Sequence, residues 1–249
     1  MTSVSKKQNI QEDEYSLPYH YIPQKSPAFS QHLYWSWGIN YLATIEFIIK
    51  ELKKNKFNSL IDIGCGDGRL VRELSSAFPE KDTLGIDYSS RAINLARALN
   101  PKLNFEVVNI QKEKPPKKFD RVLLIEVLEH ISPKQRKNFI KGIVDSMHQG
   151  GELLLTVPHK NMPLQKKHFQ HFDLETLKSE MGEFFHISKV HFLGEQSWRY
   201  QLILLILRNP VFILNHVKLR NKIFDFYQKN IFLTNEKKCS RIYLKLTKK

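Results

Sequence analysis

Leu60-Ile61-Asp62-Ile63-Gly64-Cys65-Gly66-Asp67-Gly68 decides the fold. Leu60, Ile61 and Ile63 make a short apolar, mostly β-branched run, as expected of a strand buried on both faces. Three glycines follow at alternate positions, Gly64, Gly66 and Gly68. Glycine tolerates positive φ and lets another molecule approach the backbone closely. Arg69 to Leu74 then has helical spacing. A strand that stops, a sharp turn and a helix over the turn make a small-molecule site at the carboxyl edge of a parallel sheet. The spacing is G-x-G-x-G, not the dinucleotide fingerprint G-x-G-x-x-G. Asp67 at the turn would repel a pyrophosphate and suits a ligand that carries a cation.

Outward from this stretch, apolar runs alternate with helical patterns. Strands are expected near 59–63, 83–87, 104–108, 120–126 and 151–157, and helices near 67–77, 89–98 and 133–147. Such alternation predicts a doubly wound α/β sheet with right-handed crossovers. The second strand ends at Asp87, about 20 residues past the glycine loop, where an acid on a ribose diol is expected. The fourth strand ends at Glu126. Beyond Pro158, Asp173 caps a helix near 174–181, and further strands are expected near 185–193 and 240–246.

Four segments in this order and spacing, LIDIGCGDG, GIDYSS, FDRVLLIEVLEHI and GGELLLTVP, resemble the successive motifs of the class I S-adenosylmethionine-dependent methyltransferases. They cover roughly residues 58–158. The resemblance implies a Rossmann-like, seven-stranded, mostly parallel sheet of order 3-2-1-4-5-7-6 with the last strand antiparallel. It implies S-adenosylmethionine as cofactor and S-adenosylhomocysteine as product. Gly64, Cys65 and Gly66 would meet the methionyl end, with Asp62 supporting the loop. Asp87 would take the ribose hydroxyls and Tyr88 would cover the adenine. Asn109, with Ile110 beside it, stands where the family often has an acid for the adenine amino group. Glu126 would face cofactor and incoming substrate.

A hydroxyl acceptor needs a group to take its proton. His159, after the fifth strand, and His130 are the catalytic candidates, and His20 joins them if the N-terminal segment covers the pocket. Glu126-Val-Leu-Glu129-His130 resembles the metal-binding motif of the small-RNA 2′-O-methyltransferases, for which His168 or His171 would supply a further ligand. It equally resembles the ordinary wording of the ubiquinone-biosynthesis methyltransferases. The latter reading is taken here, and no metal ligand is assigned.

The chain has 249 residues and a net charge of +14. Residues 1–57 carry 7 basic and 5 acidic groups, residues 58–197 carry 20 and 18, and residues 198–249 carry 12 and 2. The basic excess therefore belongs to the C-terminal fifth, which suits phosphate groups or an anionic membrane better than it suits nucleic acid in the absence of an RNA-binding motif. Cys65 and Cys239 suggest no disulfide framework. The first 14 residues are polar, expected to be unstructured, and contain no apolar run of a secretory kind. A cytoplasmic location, with peripheral membrane contact through the basic region, is the expectation.

Residues 1–57 are expected to form a tail and an aromatic lid, with a helix from about 29 to 54. Residues 58–249 are expected to form the methyltransferase domain, interrupted by a helical, apolar and basic insertion at about 198–233. The insertion suits a cap over the core or an interfacial element. The activity expected is methyl transfer to a hydroxyl, or an amine, of a small-molecule, sugar or lipid-linked acceptor. The alternatives are metal-dependent RNA 2′-O-methylation and a binding protein that keeps the fold without turnover.

Overall fold

The chain is described by a computed structural model over residues 6–23, 38–115, 117–208, 214 and 216–249. The glycine stretch folds as its pattern predicts. Ser59–Ile63 is β1 and Arg69–Ala77 is the helix over the turn. In chain order the strands are β1, β2 (Asp82–Asp87), β3 (Asn104–Val107), β4 (Phe119–Ile125), β5 (Met147–Pro158), β6 (Phe185–Glu195), β7 (Leu233–Thr234) and β8 (Cys239–Lys248). They form one sheet of order β3-β2-β1-β4-β5-β8-β6-β7. Pairings from β3 to β5 are parallel, and β8 runs antiparallel to both β5 and β6. The sheet thus has eight strands rather than seven. The addition is the two-residue β7 on the far edge, which precedes the final strand in sequence.

The helices are α1 (Lys6–Glu14), α2 (Gly38–Leu52), α3 (Arg69–Ala77), α4 (Ser90–Leu99), α5 (Pro133–Asp145), α6 (Leu174–Met181), α7 (Trp198–Leu207) and α8 (Val217–Asn230). Side chains along a strand alternate faces, and each core strand uses both. Ile61, Val122, Leu124, Leu153, Leu155, Ile242, Leu244 and Leu246 pack with Phe139, Ile140 and Ile143 of α5 and Leu177 and Met181 of α6. Leu60, Leu123, Leu154 and Tyr243 pack on the opposite face with α2, α3, α7 and α8. Both faces being covered explains the continuous apolar runs.

One expectation about the N-terminal region changes. Residues 6–14 are helical, because the segment is pinned from outside: Ser89 Oγ donates to Glu12 at 2.8 Å, and Lys167 bridges Glu14 at 2.6 Å. Of the helix expected from about 29 to 54, the described part is α2, and residues 29–37 lie outside the described residues. Tyr200, Ile203, Leu204, Leu207, Phe224 and Tyr227 are buried against α2. Among the described residues no helix is long and apolar enough to cross a membrane.

Candidate active site

The carboxyl ends of β1, β2 and β4 open into one cavity of about 680 Å³, within the range that holds a cofactor-sized ligand. Gly64 and Gly66 have φ of 79° and 55°. The N–H groups of Gly64 and Cys65 donate to Ile86 O at 2.7 and 3.0 Å, which folds the loop across the end of β2. A Cβ on Gly64 would lie 2.6 Å from Val127 Cγ2, and one on Gly66 would lie 3.0 Å from the Tyr15 hydroxyl. Both glycines are therefore needed for conformation and for space.

Asp87 holds the loop from the next strand. Its Oδ2 accepts from Gly66 N–H at 3.1 Å and its Oδ1 from Ser89 N–H at 3.0 Å. Burial pushes its carboxyl up to about 6, against the pull of these backbone donors. Burial, with the nearby Asp87 charge, pushes Asp62 up to about 7. Two acids held in an apolar setting without a cation make an environment that a positively charged ligand would relieve.

The cavity brings together all nine residues expected at the cofactor: Asp62, Gly64, Cys65, Gly66, Asp87, Tyr88, Asn109, Ile110 and Glu126. It also takes in His130 and His20. His159 is not among the lining residues. Its side chain is buried elsewhere, beside the Phe172 bridge; Nδ1 accepts from Asn161 N–H at 3.0 Å and Nε2 lies 3.6 Å from Glu236. His159 N–H donates to Ser240 O at 2.9 Å and the residue bridges Phe172, so the chain runs on beside β8 instead of turning into the cavity. Thr156, three residues earlier, is the one that bonds Glu126.

Glu126 has a φ of 57°, the single positive φ at a non-glycine among the described residues. Strained backbone of this kind persists where its surroundings over-determine it. Here Glu126 N–H donates to Thr156 O at 3.0 Å, Thr156 Oγ1 donates to Glu126 Oε1 at 3.0 Å, and Arg241 Nε donates to Oε2 at 2.9 Å.

Residues 6–23 form the outer wall. Tyr15, Tyr19 and His20 line the cavity with Tyr41 and Thr44 of α2. His20 Nδ1 lies 3.0 Å from Oδ2 of the buried Asp67. Arg69 anchors the same segment by donating to the carbonyls of His20 and Pro23 at 3.2 and 3.1 Å. Tyr15 belongs to the expected aromatic lid, whereas Arg241 and Lys167, which also line the cavity, carry no signal in the sequence.

Glu129, His130 and His168 stand together at the cavity wall, with one ligand-capable atom of each within 4.8 Å of the others. Glu129 Oε2 and His130 Nδ1 are buried without a hydrogen-bond partner. Burial, then the Glu126 charge, raises the Glu129 carboxyl well above its usual range; burial, then Lys167, lowers His130 to about 3. His168 Nδ1 lies 2.8 Å from His171 Nε2. The donor set suits a divalent cation, although no metal ligand was assigned from the sequence.

Residues 60–151 match the methyltransferase domain family. Those residues carry a methyltransferase domain, and the fold is shared with methyltransferases solved with S-adenosylmethionine or S-adenosylhomocysteine bound. Magnesium protoporphyrin IX methyltransferase from Synechocystis PCC 6803, solved with S-adenosylmethionine bound, superposes with a TM-score of 0.61 over 100% of both chains at 15% identity. A protein of Invertebrate iridescent virus 6, named as a methyltransferase, is 33% identical over 116 residues, 46% of this chain and 42% of its own length. The mitochondrial ubiquinone biosynthesis O-methyltransferase of Schizosaccharomyces pombe is 26% identical over 102 residues, 39% of this chain and 36% of that protein. The small RNA 2′-O-methyltransferase of Arabidopsis thaliana is 26% identical over 117 residues, 42% of this chain and 12% of that protein. The chain spans less than half the length of each of these three relatives.

Proposed function

We propose that the protein transfers a methyl group from S-adenosylmethionine to a hydroxyl of a small-molecule, sugar or lipid-linked acceptor. The observation that carries the proposal is the convergence of the glycine loop, Asp62, Asp87 and Glu126 on one cavity whose outer wall holds a histidine oriented by a buried acid. When bound, the cofactor supplies a methyl group activated on a cationic sulfur. The chain's own residues supply placement. The glycine loop would meet the methionyl end, with Asp62 supporting the loop. Asp87 would take the ribose hydroxyls, Tyr88 would cover the adenine, and Asn109 with Ile110 would stand at the adenine. In-line displacement depends strongly on alignment, so a closed wall from residues 6–23 and α2 contributes by holding the acceptor and excluding water.

His20 is the candidate proton acceptor. Asp67 holds the ring through Nδ1 at 3.0 Å, the arrangement in which a buried acid orients an imidazole for proton transfer. His130 also faces the cavity, but its depressed basicity suits a neutral hydrogen-bonding or ligating role better than proton abstraction. His159 has no part in the proposal. Calorimetric titration with S-adenosylmethionine and S-adenosylhomocysteine, repeated on Asp87→Ala, tests the cofactor half. Binding by the wild type that the variant loses supports it, and no binding by the wild type overturns it. Turnover of hydroxylated acceptors by wild type and His20→Ala tests the rest.

A second reading, metal-dependent RNA 2′-O-methylation, is favoured by the Glu129, His130 and His168 cluster. Against it, the Glu126 carboxylate is engaged by Arg241 rather than joined to that cluster. Titration with manganese or zinc, and activity on short RNA with and without chelator, separates the two readings.

A further inference from the structure

Helices α7 and α8 bury one face each and turn an unusual surface outward. On α7, Tyr200, Ile203, Leu204 and Leu207 enter the core. Trp198, Leu202 and Leu205 fall on the opposite side at spacings of four and three residues, and are 72%, 49% and 67% exposed. A surface helix ordinarily carries charge on that side. On α8, Phe224 and Tyr227 are buried, while Leu219 and Phe226 share the outward side with Lys218, Lys222 and Lys229. The two helices are neighbours: the rings of Tyr200 and Tyr227 lie 5.7 Å apart, and both hydroxyls bond the side chain of Asn40. Single exposed apolar residues need no explanation, but three on one face of a helix, one of them a tryptophan, with two more on the outward side of the neighbouring helix, do.

Charge decides what covers the cluster. From Trp198 to Asn230 the chain has six basic residues, Arg199, Arg208, Lys218, Arg220, Lys222 and Lys229, and one acid, Asp225. A second copy would oppose positive charge with positive charge, which is costly. A nucleic acid would meet the lysines but leave Leu202 and Leu205 without a partner. An anionic bilayer matches both: leucine, phenylalanine and tryptophan enter the boundary between headgroups and acyl chains, and lysines lie at the lipid phosphates.

We infer that the outward faces of α7 and α8 dock the protein on an anionic membrane surface. The contact is peripheral, and it does not depend on methyl transfer. It would bring an amphiphilic acceptor to the enzyme, so it also narrows the acceptor classes named above.

The test is flotation of the purified full chain with vesicles of phosphatidylcholine alone and of phosphatidylcholine mixed with phosphatidylglycerol. The expected result is co-flotation with the mixed vesicles only, weakened by added salt. Each lost basic charge should reduce partitioning roughly fivefold, so Lys218→Glu with Lys222→Glu should abolish it. Trp198→Ala with Leu205→Ser should do the same through the apolar part. Both double variants should melt with the wild type and bind S-adenosylmethionine equally well, because the changed residues are exposed and outside the cavity. That control separates failure of this inference from failure of the proposed function. No flotation with anionic vesicles overturns the inference, as does equal flotation with neutral ones. A dimer that disperses on Leu205→Ser assigns the face to a second copy and overturns it. Retention on a polyanion without vesicle binding overturns it as well.

Discussion

Arg241 Nε sits 2.9 Å from Glu126 Oε2, joining the antiparallel strand β8 to the residue that follows β4 across the intervening β5. The pair is what lets Glu126 hold a φ of 57° with its carboxylate at the cavity. Replacing Arg241 by Leu leaves that carboxylate with the Thr156 hydroxyl, at 3.0 Å, as its remaining side-chain partner among the described residues. Both side chains keep partial solvent access, so the cost lies between that of a surface pair and that of a buried one, about 1–2 kcal/mol. Denaturant melts should show this loss. Cofactor affinity should fall with it, because the backbone at Glu126 is freed to relax; an unchanged affinity would show that Glu126 does not depend on its partner.

Asp87→Asn should weaken S-adenosylmethionine binding by about tenfold or more, since a charged acceptor becomes a neutral one. The side chain keeps its size, so the fold should survive. Asp87 also holds Gly66 N–H at 3.1 Å and Ser89 N–H at 3.0 Å. The amide retains one acceptor oxygen for these two donors, so a modest fall in melting temperature is expected alongside the larger loss of affinity. Calorimetry on the folded variant separates the two effects.

The two raised acids give a pH dependence with a defined sign. Asp62 titrates near 7 and Asp87 near 6 in the folded protein, against about 4 in an unfolded chain. Between about pH 4 and pH 7 the native state therefore binds more protons than the unfolded state, and this contribution to stability falls as pH rises through that window. A cationic ligand favours the ionised acids, so the stabilisation gained from S-adenosylmethionine should grow over the same range, with protons released on binding. Thermal melts with and without ligand at about pH 5 and pH 8 would show it. A ligand increment that ignores pH would mean that these carboxylates do not face the cation.

The strand ends were legible because they rest on local rules. The alternation in LIDI and RVLLI fixes which residues enter which face of a sheet covered on both sides, and the glycines mark where φ turns positive. All nine expected cofactor residues lie on such ends, and all nine line the cavity. What was missed depends on contacts remote in sequence. Arg241 is an ordinary polar residue in an alternating strand, and nothing nearby announces that it meets Glu126, 115 positions earlier. The sequence offers His168, beside His171, only within the alternative metal reading; that it is the one at Glu129 and His130 depends on the chain after β5 folding back, with Phe169 N–H donating to Glu129 O at 2.8 Å. Helix α1 lacks buried residues of its own and forms against partners such as Ser89 and Lys167. His159 is near a strand end in sequence, but it stays tied to the sheet by its bond to Ser240 and its bridge to Phe172, contacts 81 and 13 positions away.

Gly64→Ala should destabilise the protein by about 1–3 kcal/mol from backbone strain alone, since its φ of 79° is one that a Cβ disfavours. The added methyl would also meet Val127 Cγ2 at 2.6 Å. Combining it with Val127→Ala should remove the clash and leave the strain. The double variant is therefore expected to recover part of the loss, apart from the cost of truncating Val127 itself. Melts of the four members of the cycle give the two terms. Full recovery in the double variant would show that space, and not conformation, is what requires glycine there.

His20→Ala should lower kcat for a hydroxyl acceptor by about a hundredfold or more, the usual scale for losing a positioned general base. Asp67→Asn should lower it less, because the imidazole remains but its Nδ1, 3.0 Å from the acid, loses its charged partner. Asp67 also accepts from His20 N–H at 3.3 Å and from Arg69 N–H at 3.3 Å, so this variant should loosen the N-terminal wall as well. A base acts on the acceptor's proton. The His20→Ala defect should therefore shrink at high pH, or with an acceptor whose hydroxyl ionises readily, while cofactor affinity stays near that of the wild type. A defect of the same size for every acceptor and at every pH would reassign His20 to holding the wall closed, since a packing role has no reason to follow the acidity of the acceptor.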